Sequence, residues 1–146
     1  TALVALLTPD FRESVWTDHE IGVAIGLKKL VVPVRLGRDP YGFMASIQAL
    51  KGELTDPRPL AEHIVRAMVQ NESTADLMKN AILDSFYHSE NFDTAIRTSK
   101  LLVEFDDLTD EQYDLLEHAV EANDQVYRAT GVRKRMEAFL DEMEAD

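Results

Sequence analysis

Ser14-Val15-Trp16-Thr17-Asp18-His19-Glu20 is the stretch on which the fold depends. It opens a helical segment set between two short apolar runs, Leu3 to Leu7 and Leu30 to Leu36, and both runs read as buried strands. At about 100° per residue, Trp16, Val23, Ala24 and Leu27 fall on one apolar face, with Glu20 near its middle. A carboxylate centred on an apolar stripe is costly to bury unpaired. Glu20 therefore either escapes at the edge of the sheet or has a chemical task.

Outward from that helix, residues 2–7 form a continuous apolar run that stops at Thr8-Pro9-Asp10. Its lack of alternation suits a strand covered on both faces, as in parallel sheets. Such a strand rarely opens a domain, so further sequence is expected ahead of Thr1. Ser14 is placed as the N-cap of a helix that reaches Gly26-Leu27. Strand, helix and strand then make a βαβ unit with parallel strands. Pro33 cannot donate to a ladder, so the second run is expected to end early, bulge or lie at an edge. The loop Gly37 to Gly42 falls at the carboxyl end of that strand, where open α/β sheets usually hold ligands. The spacing of Phe43, Ile47 and Leu50 predicts a short helix that Lys51-Gly52 ends. Glu53 to Pro59 reads as a linker, and Leu60 to Val69 as an amphipathic helix that packs back on the sheet through Leu60, Ile64 and Met68.

Charge divides the chain. Of its 146 residues, 1–71 carry eight Lys/Arg and eight Asp/Glu, whereas 72–146 carry seven and nineteen, which is the whole net charge of −12. The break near Asn71-Glu72-Ser73-Thr74 predicts an α/β module over 1–71 and an acidic helical bundle over 72–146. An acidic half repels nucleic-acid phosphates, so nucleic acid is not an expected partner. Helices are predicted from Ser73 or Thr74 to about His88, with Leu77, Ala81, Ile82 and Phe86 inward, and from Ser89 or Asn91 to about Phe105. Another is predicted from a Thr109–Gln112 capping box through Val126 to Gly131, and a last one carries Val132, Met136, Phe139, Leu140 and Met143. Short connections imply antiparallel neighbours. Cysteine is absent, which removes disulfides and thiolate chemistry and fits a reducing, cytoplasmic setting. No apolar run approaches the roughly 18 residues of a membrane span, so no membrane is expected.

Several familiar chemistries have no signature here. There is no glycine-rich phosphate loop, HExxH or EF-hand pattern. His19, His63, His88 and His118 lack ligand spacing, so no metal site is expected. Trp16 and Glu20, at i and i+4, remain. A tryptophan on a crossover helix is commonly a core anchor, and a glutamate one turn on is commonly a surface residue. Placement on an apolar stripe, however, is how pocket carboxylates are made.

The run Leu-Leu-Thr-Pro-Asp-Phe-Arg-Glu-Ser-Val-Trp-Thr-Asp-His-Glu, followed by an alanine-containing helix and Lys-Lys-Leu-Val-Val-Pro-Val, resembles the second half of a Toll/interleukin receptor (TIR) domain. That family's Ser-x-Trp-x-x-x-Glu pattern stands here as Ser14, Trp16 and Glu20, and its strand proline as Pro33. The resemblance covers about residues 1–70. It implies a partial flavodoxin-like parallel sheet followed by an all-α bundle. The family's first strand, first helix, second strand and flexible loop have no counterpart in the sequence. Many TIR domains, bacterial ones among them, cleave NAD at the nicotinamide–ribose bond, while others act only as scaffolds. By resemblance, Glu20 is the catalytic residue, Trp16 walls the pocket and Ser14 positions the helix start. NAD is the substrate, no cofactor or metal is needed, and self-association with other TIR domains is implied, in a defence setting. The acidic half, through Ser89-x-x-Phe92-x-x-Ala95, Leu108-Thr109-x-x-Gln112 and Asn123-x-Gln125-Val126, looks like the helical extension of some bacterial TIR proteins. The alternatives are a non-catalytic TIR interaction module and a flavodoxin-like nucleoside-processing fold that shares only the βαβ unit.

Overall fold

The computed structural model describes residues 1–11 and 15–145, with Val15 described in its backbone alone. They divide into two compact units, Thr1–Asp76 and Leu77–Asp146. The first is mixed α/β. Its strands are β1 (Ala2–Leu7), β2 (Leu30–Arg35) and β3 (Leu50–Lys51), and its helices are α1 (Val15–Gly26) and α2 (Pro57–Val69). The strands form a parallel sheet in the order β1-β2-β3. Ala2 pairs with Leu30 and the register runs unbroken to Leu7 opposite Arg35.

Pro33 does not behave as the sequence suggests. It lies in the central strand, fully buried opposite Ala5, with no bulge. β3 reaches β2 only at Val34 and Arg35, so the proline gives up no bond of the β2–β3 ladder. β1 also departs from expectation. Ala5 and Leu7 are buried on the side of α1, together with Ile21, Ala24, Val31 and Met44. Val4 and Leu6, on the opposite face of an edge strand, are exposed. The cover on that side comes from α2, whose Leu60 meets Val34 and Leu36 around Gly52. A Cβ on Gly52 would stand within about 3 Å of all three side chains.

Two further expectations are corrected. Phe43 to Leu50 is not a helix: Gly42–Met44 is one 3₁₀ turn, and Leu50 joins the sheet. Burying Met44 and pairing Leu50 leave no room for two helical turns between them. Nor is Glu53 to Pro59 all linker. α2 begins at Pro57 behind Asp56, whose side chain accepts the Arg58 N–H at 3.3 Å. Prolines are tolerated in a first turn, where backbone N–H groups have no helical partner anyway.

The second unit is helical: α3 (Ala75–Tyr87), α4 (Phe92–Leu102), α5 (Asp110–Ala122), α6 (Asp124–Arg128) and α7 (Val132–Ala145). Phe86, Leu102, Leu116, Val126, Val132 and Met136 are fully buried in its core. Leu77 and Ala81, expected inward, are exposed, and Leu83 takes the inward place beside Ile82. Asn91 caps α4 by accepting the Thr94 N–H at 2.9 Å. Thr109 and Gln112 form the expected capping box.

The helix expected to run to Gly131 breaks at Asn123. Its side chain accepts the Gln125 N–H at 2.8 Å and donates to the carbonyls of Tyr87 (2.8 Å) and Ser89 (3.1 Å). An asparagine that can bond nearby backbone groups competes with helix continuation. Here it ties the α5–α6 joint to the end of α3.

Candidate functional site

α1 is apolar on nearly every side, and the sheet takes a different face from the one the sequence stripe suggests. Ile21 and Ala24 are buried against β1 and β2, with Ile25 beside them. Trp16 is 76% exposed, and Val23 and Leu27 are largely exposed as well. Glu20 lies on this outer face and is exposed. Of the predicted stripe only Ala24 is buried. Trp16 is therefore no core anchor, and Glu20 carries no burial cost. Ser14 lies outside the described residues.

The outer face of α1 and the start of β1 enclose an open cleft of about 410 Å³, lined by Trp16, His19, Glu20, Val23 and Lys29 together with Thr1 to Leu3. The Trp16 and His19 rings meet edge to face at 6.2 Å, a favoured aromatic arrangement. Glu20 makes no hydrogen bond or ion pair among the described residues. Trp16, His19, Glu20 and Lys29 thus border one cleft whose lining is almost wholly apolar.

The helix end positions Lys29. Lys28 adopts φ 53, the left-handed turn that closes many helices, and its N–H donates to the Ile25 carbonyl at 3.0 Å. The N–H of Lys29 then returns to the Ala24 carbonyl at 2.9 Å, and the chain enters β2. This turn brings Lys29 to the cleft. The sequence reading does not connect His19 or Lys29 with Glu20. His19, one helical turn from Trp16, was the available signal; for Lys29 there was none without the turn geometry.

A second open cleft, of about 510 Å³, lies on another side of α1, between Asp18 and the Tyr41–Met44 turn. The helical unit has a groove of about 400 Å³ between α5 and α7, lined by Tyr113, Tyr127, Arg133 and several carboxylates. There Tyr113 donates to Glu144 at 2.9 Å. That bond, then partial desolvation and the charges of Glu144, Glu117 and Asp141, push the phenol up to about 12. Arg133 packs over the Tyr127 ring at 4.9 Å and bonds Glu137 at 2.6 Å, which raises its already high value further.

Among the described residues no three His, Asp or Glu are grouped to hold a metal ion, and no helix is long and apolar enough to cross a membrane. The chain matches no family model, no curated protein and no solved structure.

Proposed function

We propose that the first unit is part of a TIR-type, flavodoxin-like domain that cleaves NAD, with Glu20 as the catalytic residue and Trp16 as the wall of the substrate cleft. The observation that carries the reading is Glu20 itself: exposed, without a bonded partner among the described residues, and bordering one cleft with Trp16. Ser14 belongs to the same sequence motif.

The reaction asks little of a protein beyond position and charge. The C–N bond between ribose and nicotinamide breaks with its electron pair going to the nicotinamide nitrogen, and positive charge develops on the ribose. A fixed carboxylate stabilises that charge. Water then bonds to the ribose carbon and loses a proton to solvent. A flat indole face suits a planar base or pyridinium ring. The acidic second unit is the helical extension of the same protein in this reading, and copies associate through their α/β units. Association has one electrostatic argument in its favour: residues 1–71 carry balanced charge, eight of each sign, while the excess of acid lies beyond.

Nicotinamide release from NAD by the full chain tests the proposal. The expected result is release by the parent, slowed about 100-fold or more in Glu20→Gln, with a raised KM in Trp16→Ala. A second reading is favoured by one observation, the exposure of Val4, Leu6, Trp16, Val23 and Leu27 on and beside the edge strand. Such a surface also suits a non-catalytic interaction module. No nicotinamide release by the parent would select it, and equal release by parent and Glu20→Gln would remove Glu20 from the reaction.

A further inference from the structure

We propose that two copies of this chain associate edge to edge through β1, antiparallel about a two-fold axis at Val4, so that their sheets join and their α1 helices pack side by side. The inference gives the association proposed above a surface, and it stands or falls without NAD cleavage. It starts from the strand. β1 is an outer strand of the sheet. The Leu36 N–H donates to the Leu7 carbonyl at 3.1 Å, so Leu7, Ala5 and Leu3 direct their backbone groups to β2, and those of Ala2, Val4 and Leu6 point outward. Of these only the Leu6 carbonyl has a backbone partner among the described residues, the Thr8 N–H at 2.9 Å. Natural edges are blunted by charge, proline or a bulge. Ala2–Leu7 has no charged residue and no proline, and its register with β2 is unbroken.

Antiparallel pairing centred on Val4 sets that residue opposite its own copy, and Ala2 opposite Leu6 of the partner subunit. Each such pair exchanges N–H and C=O bonds. One face of the joined sheet then covers Val4 and Leu6, which are 39% and 47% exposed in the single chain. On the other face, Ile21 and Ala24 of α1 cluster with Ala5 on β1 and Val31 on β2. Two strand spacings therefore separate the two α1 helices, about 10 Å, which is a distance at which helices pack. Their outer faces meet antiparallel, Trp16 against Leu27 of the partner subunit and Glu20 against Val23 of the partner subunit. One rotation thus covers apolar side chains on both faces of the sheet. The pair also closes the Trp16–Glu20 cleft, so association and entry to that cleft oppose each other.

The occupant is a second copy for two reasons. A wholly apolar edge is complementary to itself, and a two-fold pairing closes at two chains, with no free β1 left for a third. Residues 1–71 balance eight Lys/Arg against eight Asp/Glu, so the α/β units meet without net repulsion although the whole chain carries −12.

Trp16 is the only tryptophan, and it reports the contact. Sedimentation equilibrium of the full chain from about 1 μM to about 1 mM, the range of small interfaces, is expected to show monomer passing to dimer. Over the same range Trp16 emission is expected to move to shorter wavelength and its quenching by acrylamide to fall. Val4→Lys sets two like charges opposite each other. It is expected to weaken association about tenfold or more and to keep Trp16 accessible, although position 4 lies on the other face of the sheet. Val23→Lys, on α1, is expected to do the same. Leu54→Lys, at an exposed site outside the pairing, is expected to leave association unchanged, with circular dichroism as the check that each variant folds. A parent that stays monomeric throughout, unchanged association in Val4→Lys or Val23→Lys, a tryptophan equally accessible in monomer and dimer, or equal weakening by Leu54→Lys would each overturn the proposal.

Discussion

The two units use apolar side chains in opposite ways. Among the large apolar side chains of the described residues, Trp16, Val23, Leu27, Phe43 and Leu54 stand more than half exposed in the first, whereas in the second only Leu77 does. The second instead seals its large residues into one core and carries seventeen acidic against seven basic residues over 77–146. Roughly 0.8 kcal/mol is forgone for each CH₂ left in water, so a unit that leaves this many uncovered keeps surface for contact. The helical unit closes its core, whereas the α/β unit leaves large apolar side chains uncovered.

The contrast breaks most sharply under truncation. Phe86→Ala, at a fully buried site, is expected to cost about 3–5 kcal/mol. Trp16→Ala, although it removes a larger side chain, is expected to cost less than about 0.5 kcal/mol. Chemical denaturation of both variants checks this, and a large loss for Trp16→Ala would place the tryptophan in a core. Asn123→Ala comes next. It removes the cap of α6, one bond to the last residue of α3 and one to Ser89 beyond it, and is expected to lower stability by about 2 kcal/mol, read by the unfolding midpoint of the helical unit.

A smaller effect carries the opposite sign. A Cβ on Gly22 would meet Phe43 at 3.7 Å, an ordinary contact. Gly22→Ala is therefore expected to stabilise the α/β unit by about 0.5–1 kcal/mol through helix propensity. A loss of stability on denaturation would mean that Phe43 presses closer to α1 than described. Smallest is an ionisation. The Tyr113 phenol is expected to titrate at about 12 rather than 10, followed by ultraviolet absorbance with Tyr113→Phe as the blank. Its shift comes first from the bond to Glu144, so Glu144→Gln is expected to lower it. The raised value favours the folded form below pH 10, and that preference is lost as pH rises through about 12.

The architecture of the α/β unit was legible where apolar runs are long and bounded. Residues 2–7 and 30–36, with a capped segment between them, were enough for a parallel βαβ unit. β3 was not legible, because two residues, Leu50 and Lys51, carry no period. The start of α2 was hidden because Pro57 and Pro59 read as linker when they were first-turn residues. The α5–α6 break was marked only by Asn123, whose bonds to Tyr87 and Ser89 span more than thirty residues. The site was half legible for a similar reason. On a helix carrying Ile21, Ala24 and Ile25 as well as Trp16, Val23 and Leu27, periodicity supplies two apolar faces and does not say which meets the sheet. Trp16 and Glu20 could be paired by spacing, but their exposure, and the arrival of Lys29, depend on tertiary packing.

Glu20→Gln, taken through nicotinamide release and denaturation side by side, tests the central claim most directly. The carboxylate has no bond to lose among the described residues, so the unfolding free energy is expected to stay within about 0.5 kcal/mol of the parent while release from NAD falls about 100-fold or more. Undiminished release at unchanged stability would contradict the claim.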